Sequence, residues 1–125
     1  MLADLWYKNA LVYNLDVETY LDADGDGLGD FEGLMRRLDY LESLGVDVLW
    51  LAPFQPSPNR DNGYDVADFY GVDPRYGSAG DFVELVHRAR SNGIRVIVDL
   101  VVNHTSDRHR WFREARKGPE SPRFD

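Results

Sequence analysis

The chain has 125 residues and no cysteine. That absence excludes a disulfide framework, a zinc ribbon, a thiol nucleophile and a cysteine-held iron–sulfur cluster, so any chemistry must come from carboxylates, histidine, tyrosine and the backbone. Positive charge is also scarce: 14 Lys and Arg stand against 22 Asp and Glu, a net charge of −8. A field of that sign repels phosphate backbones and anionic lipid heads, so neither nucleic acid nor a membrane is expected as a partner. The most apolar stretch, Ile94 to Val102, is broken by Arg95 and Asp99 and falls far short of the roughly 20 residues of a membrane span. The lead Met1–Lys8 contains Asp4 and no basic-then-apolar pattern, which predicts a cytoplasmic protein. There is no H-E-x-x-H for zinc, no G-x-S-x-G nucleophile elbow and no glycine-rich phosphate loop.

What is present alternates. Leu11–Asp16 is rich in β-formers and predicts a first strand. After an acidic, glycine-rich loop, Phe31, Leu34, Met35, Leu38, Leu41 and Leu44 recur at helical spacing, with Asp30 as cap and Gly45 as terminator. This predicts one helix of about four turns. Val46–Leu51 is a second strand. From Ala52-Pro53 to Gly77 the chain carries prolines, Asn, Asp, Gly and five aromatic residues, which predicts a long, ordered loop. Ser78–Asp81 resembles a capping box for a second helix along Phe82, Leu85, Val86 and Ala89, ending at Asn92-Gly93. Arg95–Val102 is the most β-branched segment and predicts a third strand, and a short helix is expected near Trp111–Arg116. The order β-α-β-α-β implies an α/β fold with a parallel sheet, its strands buried on both faces and its crossovers right-handed. Periodicity alone leaves half of a doubly wound sheet and the start of an eight-stranded barrel both open.

Three polar stretches begin near the C-terminal ends of the strands, where parallel α/β folds place their sites. Asp22, Asp24, Asp26, the Leu28 carbonyl and Asp30 alternate along a turning loop, a pattern of oxygens suited to Ca²⁺. The plainer alternative is a solvated acidic turn. An EF-hand does not fit, because Gly33 stands where the twelfth-position Glu belongs. Asp61-Asn-Gly-Tyr-Asp65 combines carboxylates, a turn glycine and a phenol. That set can be a simple turn, or it can hold a sugar through an aromatic face and charged hydroxyl acceptors. Asp99 sits in the apolar third strand and requires a partner, and Asn103-His104 follows it. His87 and His109 are expected at the surface.

Asp99-Leu-Val-Val-Asn-His104 matches the D-x-V-x-N-H signature of the α-amylase superfamily (glycoside hydrolase family 13) with no departure, and the chain resembles the N-terminal part of that family's catalytic barrel. Leu51-Ala-Pro53 is similar to the end of its second strand, and Trp6-Tyr7-Lys8 with Val12-Tyr13 to the approach to its first. Ser57–Asp65 and the Asp22–Asp30 loop are similar to the branch containing oligo-1,6-glucosidase, sucrose isomerases and trehalose synthase. The tail from Asn103 to Arg116 is most like the trehalose synthases.

The resemblance implies a (β/α)8 barrel, incomplete in these residues, with residues 1–125 as its N-terminal part. It also implies an α-glucoside-processing enzyme working by retaining hydrolysis or by transglycosylation, such as maltose-to-trehalose isomerisation, on an oligosaccharide or disaccharide. By the same resemblance Asp22, Asp24, Asp26, the Leu28 carbonyl and Asp30 bind structural Ca²⁺. It likewise implies that Asp61 accepts sugar hydroxyls, Tyr64 stacks on the terminal glucose and His104 donates to a hydroxyl. The resemblance further implies that Asp99 pairs with an Arg beyond Asp125, and that the nucleophile, the acid/base and a third carboxylate lie beyond it too. Residues 1–125 alone are then expected to be inactive and to need the rest of the barrel. Two other classes are a small Ca²⁺-binding module and a noncatalytic interaction protein derived from the enzyme.

Overall fold

The three apolar runs pair as the alternation predicts. A computed structural model describes residues 5–124; Met1–Asp4 of the lead, and Asp125, lie outside them. Strands β1 (Val12–Leu15), β2 (Val48–Leu51) and β3 (Arg95–Val98) form one parallel sheet in the order β1-β2-β3. The register aligns Val12 with Val48 and Arg95, and Leu15 with Leu51 and Val98. Among the described residues no helix is long and apolar enough to cross a membrane.

Among the described residues five α-helical segments and one 3-10 turn (Trp6–Lys8) accompany the sheet: α1 (Val17–Tyr20), α2 (Phe31–Met35), α3 (Leu38–Ser43), α4 (Ala79–Ser91) and α5 (Arg110–Ala115). Side chains alternate along a strand, so Tyr13, Leu15, Leu49, Leu51 and Val96 face one way. They share a core with Phe31, Leu34, Leu38 and Leu41 from α2 and α3 and with Leu85 and Ala89 from α4. Phe31, Phe54 and Phe82 close this layer, with ring centroids 4.7–5.7 Å apart. Helix α4 starts at the expected capping box: Ser78 Oγ accepts the Asp81 N–H, and the Asp81 carboxylate accepts the Ser78 N–H.

The single four-turn helix after Asp30 is in fact two. At Arg37 the backbone turns to φ −117°, ψ 8°, and its N–H bonds to Leu34, three residues back. The buried stripe continues across the break because both arginines point away from the core. Leu44 leaves that stripe and is exposed beside Gly45, which takes φ +79° as a terminator. Val86 is likewise exposed.

The third strand is shorter than read and is not buried on both faces. Its ladder ends where β2 runs into Ala52-Pro53, the last link being the Asp99 N–H to the Leu51 carbonyl at 3.2 Å. Past that point Leu100 and Val102 are 73% and 81% exposed, and Ile97 and Val98 are more than 40% exposed. Among the described residues only the central strand β2 has a neighbour on each side, and β1 and β3 are edges. The segment from Ala52 to Gly77 contains no helix or strand, as expected.

Candidate substrate site and acidic loop

Two of the residues singled out from sequence meet directly. The Tyr64 hydroxyl donates to Asp99 Oδ2 at 2.8 Å, and the Trp50 indole N–H donates to Asp99 Oδ1 at 3.0 Å. Asp99 therefore lies one residue past β3, half-buried, and finds partners within the chain. A carboxylate offers about four lone-pair positions, so two remain for a guanidinium or a sugar hydroxyl. The hydrogen bond to Asp99 raises the Tyr64 pKa, helped by partial burial, which keeps the phenol protonated and able to donate.

Tyr64 is held by the loop before it. Its N–H bonds to the Asp61 carbonyl at 2.9 Å. Gly63 is buried with φ +85°, and a Cβ there would sit 2.7 Å from the Pro53 carbonyl oxygen; no other residue fits without moving the end of β2. The Asn62 amide donates to Asp16 Oδ2 at 3.1 Å, while Asp16 Oδ1 caps α1 through the Glu18 N–H. The turn is thereby fastened to the C-terminal ends of both β1 and β2. Asp61 is exposed, and among the described residues its carboxylate takes part in no hydrogen bond.

His104 stands apart from this pair. Its Nδ1 lies 3.0 Å from the Asn103 side-chain amide, and with that amide donating, Nε2–H is the free donor. The ring lines a hollow of about 450 Å³ with Phe69, Tyr70, Leu100, Val102 and Trp111. No hydrogen bond joins it to Asp61, Tyr64 or Asp99 among the described residues. His109 corrects the expectation of a surface residue. It is 4% exposed, packs against Phe69 and Trp111 with centroids 5.5 and 4.6 Å away, and caps α5 by accepting the Trp111 N–H on Nδ1. Burial, aided by Arg110, lowers its pKa.

A network absent from the sequence reading supports the loop from beneath. Arg75 forks onto Asp73 at 3.0 and 2.9 Å, and Glu18 accepts the Tyr76 hydroxyl at 2.9 Å and the Asn59 amide at 3.0 Å. Arg75 also lies 3.6 Å from Glu18. Desolvation and the Glu18 carboxylate together push the Tyr76 pKa upward.

In the acidic loop, Asp22, Asp24 and Asp30 each bring one carboxylate oxygen within 4.8 Å of the others. Oxygens on one Ca²⁺ at about 2.3–2.6 Å are compatible with that spacing, so this hard-oxygen set fits the ion. Asp26 is outside the group, its Oδ1 accepting the Leu28 N–H at 2.8 Å. The N–H groups of Gly25 and Gly27 bond to Asp22 and lower its pKa. Asp30 bridges two elements, accepting the Gly33 N–H of α2 and the Ala23 N–H of the loop.

The family description of the alpha amylase catalytic domain matches residues 17–125. This chain belongs to the alpha-amylase family. It is 52% identical over 120 residues to the trehalose synthase/amylase of Mycolicibacterium smegmatis, covering 96% of this chain and 20% of that protein. To the trehalose-6-phosphate hydrolase of Escherichia coli it is 51% identical over 117 residues, covering 94% and 21%. The fold superposes on a MutB mutant crystallised with the substrate sucrose at a TM-score of 0.95 and 43% identity, covering 98% of this chain and 22% of that one. The chain thus spans about a fifth of the length of these relatives. Its sheet and crossovers are the opening β-α-β-α-β of the family's (β/α)8 barrel, without closure.

Proposed function

We propose that this chain forms the glucose-binding opening of a retaining α-glucosidic enzyme that acts on a disaccharide, by hydrolysis or by isomerisation of the maltose-to-trehalose type. The observation that carries the reading is the Tyr64–Asp99 hydrogen bond at the C-terminal ends of the strands, in a chain similar to a trehalose synthase/amylase, a trehalose-6-phosphate hydrolase and a sucrose-binding enzyme. Asp99, with two lone-pair positions free, accepts from a guanidinium or a hydroxyl. Tyr64 gives its ring face to the sugar while its hydroxyl stays on Asp99. Asp61 offers an uncommitted carboxylate to hydroxyl donors, and His104 offers an N–H. The two carboxylates of the retaining reaction, about 5–5.5 Å apart in such enzymes, are assigned to strands outside residues 1–125.

Asp22, Asp24 and Asp30, whose carboxylates converge, would hold Ca²⁺, and the family resemblance adds Asp26 and the Leu28 carbonyl as further oxygens. Bound there, the ion would neutralise the clustered charge and fix the loop against α2 through Asp30.

The test is to incubate the complete gene product with maltose, trehalose, isomaltose, sucrose and trehalose 6-phosphate in turn, following anomeric protons by NMR. Turnover of at least one α-glucoside is expected, with retention at the anomeric carbon. Inertness toward all five would sink the proposal.

A further inference from the structure

Asp61 contributes its carboxylate to the proposed sugar site, yet nothing among the described residues holds that carboxylate by a hydrogen bond. Its place is therefore set by its backbone, and the backbone is held by a neighbour given no part so far. Asp65 Oδ1 accepts the Ser57 hydroxyl at 2.7 Å and the Asp61 N–H at 3.2 Å, and its Oδ2 accepts the Arg60 N–H at 3.0 Å. Three donors from the incoming arm of the loop converge on one side chain.

The hold extends into the core. Ser57 also accepts the Asn59 N–H on its Oγ and donates its own N–H to buried Asp73, which Arg75 grips with two bonds. On the outgoing side, the Asp61 carbonyl receives the Tyr64 N–H, so one carboxylate fixes the residue from which Tyr64 is hung. Burial opposes ionisation of Asp65, but the Ser57 hydroxyl and the amides outweigh it and hold its pKa below the usual carboxylate value.

We propose that Asp65 is a positioning residue that fixes Asp61 and Tyr64 for sugar binding through the Ser57 hydroxyl and the Arg60 and Asp61 amides. The inference rests on the function proposed above. A misplacement of about 1 Å in such a site can cost on the order of 10²-fold in rate, although Asp65 itself touches no substrate.

The experiment is a mutant cycle in the complete gene product, with amide hydrogen exchange read alongside. Asp65→Ala should lower kcat/KM on the order of 10²-fold, but by less than about threefold when Asp61→Ala and Tyr64→Ala are already present, because the side chains it positions are gone. Asp65→Asn, which keeps one acceptor oxygen and turns an amide toward the Arg60 N–H, should fall between. In both variants the Arg60 and Asp61 amides should exchange faster while the amides of β2 do not. Equal losses in the two backgrounds, or unchanged exchange at Arg60 and Asp61, would overturn the inference. If the wild-type protein turns over no α-glucoside, the functional reading fails by itself, and exchange at those two amides still decides whether Asp65 anchors the loop.

Discussion

Tyr64 and Asp99 lie 35 positions apart in sequence and 2.8 Å apart in space. Tyr64→Phe keeps the ring face and deletes the hydroxyl, leaving Asp99 with the Trp50 indole N–H as its partner. Because that hydroxyl bonds Asp99 and not the sugar, the lost hydrogen bond to a charged group, about 1.5–3 kcal/mol, should lower Tm. KM for the disaccharide should rise on the order of tenfold as Asp99 and the ring lose their mutual hold. Steady-state kinetics beside a thermal melt measure both. His109 governs an acid limb of stability. Its folded pKa is lowered, so the unfolded chain binds the extra proton first. The stabilising effect of the neutral ring is complete above about pH 6.5 and is lost as pH falls through the folded value. Chemical denaturation at stepped pH should show this limb in the wild type and a flatter one in His109→Asn, which caps α5 without titrating. The residues of the candidate site were picked out by the D-x-V-x-N-H and Asp61–Asp65 patterns. Their partners were not, because sheet register brings Trp50 to Asp99, the loop fold brings Tyr64 to it, and His109 is buried by Phe69 from a distant loop.

The acidic loop is the element whose behaviour depends most on a ligand. With Asp22, Asp24 and Asp30 converging within 4.8 Å, Ca²⁺ should raise the Tm of the complete gene product by several degrees, and chelation should reverse the gain. Asp22→Asn should abolish most of that response; a melt indifferent to both Ca²⁺ and chelator would remove the metal assignment. Helix α4 was readable to within a residue, because a capping box and an Asn-Gly end are local signals. The split of α2 from α3 was not, since an apolar period of 3.6 continues unchanged across one turn of altered backbone at Arg37. Helix α1 was missed because its four residues are too few to show a period, and Asp16 was its only start signal. Strand β3 was overextended for a different reason: Leu100 and Val102 look like strand residues, but β2 stops pairing at Ala52-Pro53.

At the scale of the whole molecule, one sheet face packs against α2, α3 and α4, and much of the other is open. Val12, Trp50 and Ile97 are exposed there, as are Leu100 and Val102 beyond the β3 edge, and open edges and apolar faces invite association. Residues 1–125 produced alone should therefore aggregate or form large species on size-exclusion chromatography. A monomer with a single sharp melt would show that the segment stands by itself and would favour a small binding module. The chain spans about a fifth of the relatives it matches, and the account places a sugar-binding rim in this fifth and the reacting carboxylates elsewhere. The measurement that tests this most directly is the coding DNA downstream of codon 125. The account predicts an open frame that supplies an Arg two residues before an Asp, then a Glu and a further Asp on later strands. A stop codon at that point, with the 125-residue product intact in cells, would contradict it.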